Sequence, residues 1–228
     1  MIVRNLQSVR DRITTACVAA GRAPSSVRLL AVSKKFSAEA VREAMADGQR
    51  AFGENYIAEG VEKIATLKIH TDLEWHCIGP VQSNKTRLVA EHFDWVQSVD
   101  RLKIAQRLSE QRPLHLKPLQ ICLQVNIDGG GNKSGVAPQE LMALAEEVVK
   151  LPRLQLRGLM TLPEPAIDFE AACALHLRAR ALFDQLNGAN ILPGPMDTLS
   201  MGMTADLEAA IASGSTMVRV GTAIFGDR

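Results

Sequence analysis

The sequence predicts a (β/α)8 barrel, a single domain over residues 1–228, with an extra helix at its N-terminus. Three observations predict it. Apolar strand-like runs alternate with helical patterns along the chain, which implies parallel pairing with right-handed crossovers. About eight such runs fit within 228 residues, as a small barrel requires. The unusual polar residues collect where the strand-like runs end, the face on which barrels place their sites. A doubly wound open sheet is the alternative that the same alternation leaves open.

Each element has a local signal. Residues 6–20 set Leu6, Ile13, Ala16, Cys17 and Ala20 on one helical face, and Gly21 and Pro24 stop the helix. This leading helix is expected to cover the seam beside the last strand. Strand one spans about 29–34. In the following SAEAVREAMADG, Ser37 serves as N-cap, Ala40, Val41, Ala44 and Met45 form the apolar face, and Gly48 is the stop. AFGEN (51–55) precedes a helix over about 57–67, and LEWHCIG (73–79) precedes a short helix from about 84. WVQSV (95–99) precedes DRLKIAQRLSEQR, with Asp100 as the expected N-cap. LQICLQVN (119–126) precedes PQELMALAEEVVK, where Pro138 suits a first turn and Leu141, Leu144, Ala145 and Val148 recur at helical spacing. LRGLMTL (156–162) leads to a long helix over about 168–186, and the Pro/Gly-rich piece at 188–195 reads as a loop. TLSMG (198–202) leads to a helix over 204–213, and MVRVGTAIF (217–225) is the last strand.

The balance of charge narrows the function. Twenty-six basic and 25 acidic residues leave a formal net charge of +1, so bulk charge gives no reason to expect nucleic acid or an acidic membrane as partner. Arg4, Arg10, Asp11 and Arg12 break any signal-peptide core, and no apolar run approaches the ~20 residues of a span. A cytoplasmic location is expected. Cys17, Cys77, Cys122 and Cys173 are far apart, and Cys77 and Cys122 read as apolar fillers of strands. The histidines form no HxH, HxxxH or HExxH pattern, so no metal site is assigned.

The polar residues at strand ends carry the chemistry. LLAVSKK (29–35) reads as a buried strand that ends in two ammonium groups. An unpaired buried ammonium costs several kcal/mol, so either both lysines reach water or one has a chemical partner. The pleat separates them: Leu30, Val32 and Lys34 share one face, and Ala31, Ser33 and Lys35 the other. Lys34 is therefore expected to point into the barrel and Lys35 to solvent. An inward lysine at a rim is placed for Schiff-base chemistry. Asn55 ends strand two, Ser200 ends strand seven, and Arg219, Gly221 and Thr222 lie on or after strand eight. A Gly-Thr pair alone fits a strand bend. With Ser200 and a rim lysine it points to a phosphorylated ligand, since the loops after strands seven and eight recurrently bind phosphate. DGGGNKSG (128–135) lacks the Walker A spacing and reads as a βα loop whose Lys133 attracts anions. His76 reads as a satisfied core histidine, and Met201 and Met203 as packing residues.

LLAVSK, FGENYIAEG, LEWHCIGPVQSNK, VNIDGGGNKSG, RGLM and LSMGMTADLEAAIASGSTMVRVGTAIFG resemble the pyridoxal phosphate (PLP) homeostasis proteins, in order, over about residues 29–226. The resemblance implies a fold-type III PLP-binding barrel similar to the N-terminal domain of alanine racemase. By that similarity Lys34 carries PLP as an internal aldimine and Asn55 lines the pocket. Ser200, Gly221 and Thr222 hold the phosphate, and Arg219 faces the pyridine nitrogen. The chain departs from the pattern at GGGNKSG, where related chains often carry an acidic residue. An arginine at the ring nitrogen disfavours a second positive charge there and weakens the ring as an electron sink. Racemases of this fold add a tyrosine from a C-terminal domain. Here the sequence ends about where the barrel closes, and the only tyrosine, Tyr56, sits beside Asn55. The expectation is a PLP-binding monomer active in vitamin B6 and amino-acid homeostasis, with no catalytic residue of its own and with apo-enzymes as candidate recipients. A PLP-dependent racemase or lyase is the alternative. The residues without the resemblance leave open an unrelated barrel for another phosphorylated metabolite.

Overall fold

In the computed structural model, which describes residues 1–129 and 134–226, eight parallel strands close on one another in sequence order. They are β1 (Arg28–Val32), β2 (Ala51–Glu54), β3 (Glu74–Cys77), β4 (Trp95–Val99), β5 (Leu119–Val125), β6 (Leu154–Thr161), β7 (Thr198–Ser200) and β8 (Met217–Val220). The helices are α1 (Ile2–Ala19), α2 (Ala38–Ala46), α3 (Ile57–Thr66), α4 (Thr86–His92), α5 (Leu102–Gln111), α6 (Leu141–Val148), α7 (Phe169–Gly188), α8 (Leu207–Ala212) and α9 (Thr222–Phe225). Closure is made by β1 on β8, with Arg28 beside Met217 and Ala31 beside Val220. That pairing removes the open-sheet alternative.

Alternation along each strand divides the apolar residues into two cores. Ala31, Phe52, Trp75, Cys77, Val96, Ile121, Leu123, Leu199, Val218 and Val220 face outward and pack under the helices. Leu30, Val32, Ala51 and Met217 face inward, as do Trp95, Cys122 and Met160 across the barrel. The inner core is therefore small, and polar side chains share it: His76, Gln97, Ser200 and Arg219 are all buried.

α1 buries Leu6, Val9, Ile13 and Cys17 and packs against α2, α8 and α9, over the β8–β1 seam as expected. Each such side chain contributes about 1.5–3 kcal/mol when taken out of water. Arg10 pairs with Asp47 below α2, Arg12 with Glu208 of α8, and Asn5 Nδ2 donates to Ile224 O of α9.

Several boundaries differ from the expectation. β1 stops at Val32, so Lys34 lies two residues past the strand. The expected last strand splits: the chain leaves the sheet after Val220, Gly221 takes φ −116° and ψ −76°, and Thr222–Phe225 is helical. α8 starts at Leu207 rather than Thr204, leaving 204–206 as a turn. Asp100 does not cap α5. Its carboxylate takes Arg101 Nη1 instead, and Arg101 is the cap residue. Ser37 does cap α2, accepting from Ala40 N, and Asp168 caps α7 through Ala171 N. Lys133 and most of GGGNKSG fall outside the described residues, with the role expected for that loop.

Candidate functional site

The inward rows, continued past the C-terminal ends of their strands, build one cavity. Leu30 and Val32 lead to Lys34, Ala51 and Gly53 to Asn55, His76 to Ile78, Met160 to Leu162, and Met217 and Arg219 to Gly221. Val32, Lys34, Asn55, Ile78, Leu162, Arg219, Gly221 and Thr222 all line a cavity of about 520 Å³. Phe36, from the loop after Lys34, adds an aromatic wall and stacks on Phe225 at 5.1 Å. Met203, Thr204 and Ala205 complete the lining from the turn before α8. Five of the six expected site residues therefore meet here.

Ser200 is the exception. Its hydroxyl is buried beneath the cavity, donates to Gln97 Oε1 at 2.6 Å and accepts from Arg219 Nη1 at 2.7 Å. The short β7 ends with this residue facing inward, and the next loop reaches the rim over Met203–Ala205. Thr204 is the hydroxyl of that loop which lines the cavity, and the sequence reading missed it. Met203 also lines the cavity, whereas Met201 is fully buried as a packing residue.

The segment carrying Lys34 is clamped from below by buried charge. Lys63 Nζ of α3 donates to the Ser33 carbonyl at 2.6 Å, to Glu54 Oε1 at 2.8 Å and to Glu59 Oε1 at 2.7 Å. Ser33 Oγ donates to Glu54 Oε1 at 2.6 Å, and Glu59 also accepts Lys35 N. Burial pushes the Glu54 carboxyl above its ordinary range, against the pull of Lys63 and Ser33. Lys35 takes φ 64°, is exposed, and places its ammonium 5.8 Å from the Tyr56 ring centroid. Tyr56 is itself 49% exposed. The i,i+4 spacing of Glu59 and Lys63 was the available sequence signal for this clamp.

Backbone geometry holds the other walls. A Cβ on Gly79 would lie 2.1 Å from Asn55 O, so only glycine lets the loop after β3 press against Asn55. Asn55 Oδ1 is buried at the cavity with no hydrogen-bond partner among the described residues. The Met203–Ala205 turn is tied by Asp206, which accepts Met203 N through Oδ1 and His176 Nε2 through Oδ2. Arg12 Nη2 donates to Thr204 O. Arg219 is fully buried, and Nη2 donates to Thr161 O at 2.7 Å. Burial lowers Arg219 to about 10, partly countered by Asp206, so it stays cationic near neutrality. His76 is a satisfied core histidine stacked on Trp95 at 5.0 Å. Among the described residues no group of His, Cys, Asp and Glu is placed to hold a metal, and no helix is long and apolar enough to cross a membrane.

A family model described as alanine racemase, N-terminal domain, matches residues 5–228. A pyridoxal phosphate homeostasis protein of Pseudomonas aeruginosa is 58% identical over 227 residues, covering 100% of this chain and 96% of its own. The chain belongs to the pyridoxal phosphate homeostasis protein family. A Vibrio cholerae member of that family is 54% identical, covering 100% of this chain and 96% of its own. PipY of Synechococcus elongatus superposes with a TM-score of 0.87 in its structure without PLP and 0.86 in its structure with PLP bound. The identities are 40% and 38%, and the superpositions cover 99% of this chain and 100% of PipY. An alanine racemase of Clostridium difficile, at 17% identity and a TM-score of 0.77, shares the fold; the superposition covers 99% of this chain and 57% of the racemase.

Proposed function

We propose that this chain holds pyridoxal phosphate in the barrel-mouth cavity, attached through Lys34, and serves the homeostasis of that cofactor and of amino acids without substantial turnover. The observation that carries this reading is the convergence of Lys34, Asn55, Arg219, Gly221 and Thr222 on one cavity. The lining fits the group. Asn55 offers a buried acceptor that lacks a donor among the described residues. Gly221 leaves open a space that a Cβ would fill, 3.1 Å from Val32 O. Val32, Phe36, Ile78 and Leu162 supply apolar walls suited to an aromatic ring.

Pyridoxal phosphate supplies an aldehyde, a ring nitrogen and a phosphate. Lys34 Nζ is the amine that would hold the aldehyde carbon as a Schiff base, with water as the group released. Thr204, Gly221 and Thr222 receive the phosphate, and Ser200 contributes through Arg219 rather than directly. Arg219, a buried cation, would face the ring nitrogen and there oppose its protonation. That weakens carbanion stabilisation and favours a carrier over a racemase or lyase. The exposed position of Tyr56, beneath the Lys35 ammonium, supports the same reading. The whole of 1–228 acts as one barrel domain in this proposal, as a monomer, with pyridoxal-dependent apo-enzymes as recipients.

The test is spectroscopic. Protein mixed with pyridoxal phosphate should develop a visible band that borohydride removes, with the reduced label on the peptide containing Lys34. Deuterium entry at the α-carbon of added alanine should not exceed that caused by free cofactor. A Lys34→Ala protein that regains the same band, or fast α-exchange by the wild type, would overturn the proposal.

A further inference from the structure

Arg219 is the last link of a line of hydrogen bonds that runs through the barrel interior. Arg219 Nη1 donates to Ser200 Oγ at 2.7 Å, and Ser200 Oγ donates to Gln97 Oε1 at 2.6 Å. Gln97 Nε2 contacts His76 Nδ1 at 2.9 Å and Met217 Sδ at 3.2 Å, and His76 Nε2 meets Glu74 Oε1 at 2.7 Å. Glu74 is in turn paired with Arg28 at 2.7 Å. These bonds join β8, β7, β4 and β3, and Ser200, Gln97, His76 and Arg219 are all buried.

Donor and acceptor inventory dictates the direction of every bond. A guanidinium only donates, so Ser200 must accept from Arg219 and pass its single proton on to Gln97. The Gln97 carbonyl therefore faces Ser200 and its amide NH2 faces His76. His76 Nδ1 must then be the acceptor, which places the ring proton on Nε2, towards the Glu74 carboxylate. Turning the Gln97 amide over would leave the Ser200 proton without its acceptor and set a carbonyl against the bare His76 Nδ1. Each link thus selects the state of the next.

We infer that Gln97 is a positioning residue that, through Ser200, fixes the plane of the Arg219 guanidinium in the cavity. Among the described residues, Ser200 Oγ and Thr161 O are the two acceptors that hold this plane, and Gln97 decides whether the first is aimed correctly. The consequence for pyridoxal phosphate rests on the reading that this cofactor occupies the cavity. The geometric claim does not.

The experiment separates the two. In ligand-free protein, nitrogen-15 NMR should show resolved, slowly exchanging Arg219 guanidinium protons and His76 protonated at Nε2. Gln97→Met and Ser200→Ala should each average the Arg219 signals, and the double variant should be no worse than either single one, because the links act in series. Gln97→Glu keeps an acceptor for Ser200 and should restore the resolved Arg219 signals, while drawing a proton onto His76 Nδ1; thermal melts confirm that each variant is folded. Loaded with pyridoxal phosphate, the Met and Ala variants should bind it about tenfold more weakly and with a shifted visible band. Arg219 signals unchanged in both single variants, additive effects in the double one, or wild-type His76 protonated at Nδ1 would overturn the inference. Variant signals that change as expected, together with a wild type that takes up no pyridoxal phosphate, would sustain the positioning role and remove only the ligand reading.

Discussion

Replacing Lys63 with methionine should cost about 3–5 kcal/mol, the usual penalty for orphaning the partner of a buried ion pair. The side chains of Lys63 and Glu54 are 6% and 0% exposed, and Lys63 is the cation for both Glu54 and Glu59. Methionine keeps most of the volume, so the loss reports the charge rather than a cavity. In a chain of this size that corresponds to a fall in Tm of about 6–20 °C. The pH dependence follows from Glu54, which burial already raises above its ordinary value. A carboxyl with a higher pKa folded than unfolded gives the folded state the extra proton between the two values, so stability falls as pH rises through that window. Removing Lys63 extends the window upward. The deficit should be greatest above it and should shrink as the pH falls into the ordinary carboxylate range. Urea unfolding followed by circular dichroism, run across that range, measures both effects. Adding Glu54→Gln to the variant should recover most of the loss. A penalty under about 1 kcal/mol, or one independent of pH, would refute the argument that this buried cluster holds the Lys34 segment.

Two further outcomes are open to direct measurement. Gly79→Ala forces a Cβ to within 2.1 Å of Asn55 O, so the loop or Asn55 must move, and equilibrium dialysis should show pyridoxal phosphate bound about tenfold more weakly or worse; unchanged affinity would remove Asn55 from the site. Burial pushes the Cys77 and Cys122 thiols up to about 12, and Cys17 is buried too, while Cys173 is partly exposed. A thiol reagent should therefore label Cys173 in folded protein and reach the other three only in denaturant.

Much of the site was legible because alternation is local. The pleat of LLAVSKK decides which lysine turns inward without knowledge of any neighbouring strand, and Lys34 and Lys35 lie as that rule requires. Asn55, Arg219 and Gly221 obey the same rule, lying two residues on from the inward positions Gly53, Met217 and Arg219. It fails at Ser200. There the pleat is right and the depth is wrong, since depth depends on how far β7 extends relative to β4 and β8.

By itself, then, the amino-acid order determined the eight-fold alternation, the facing of the residues that lead to Lys34 and the family to which the chain belongs, because side-chain period, turn chemistry and motifs are written over a few residues at a time. Tertiary structure alone decided which polar residues meet. Gln97 finds Ser200 across 103 residues of sequence, and Lys63 becomes buried only when α3 closes over Glu54 and Ser33. Hydrogen-bond direction and the cost of a buried charge are set by such long-range neighbours, and no local pattern contains them.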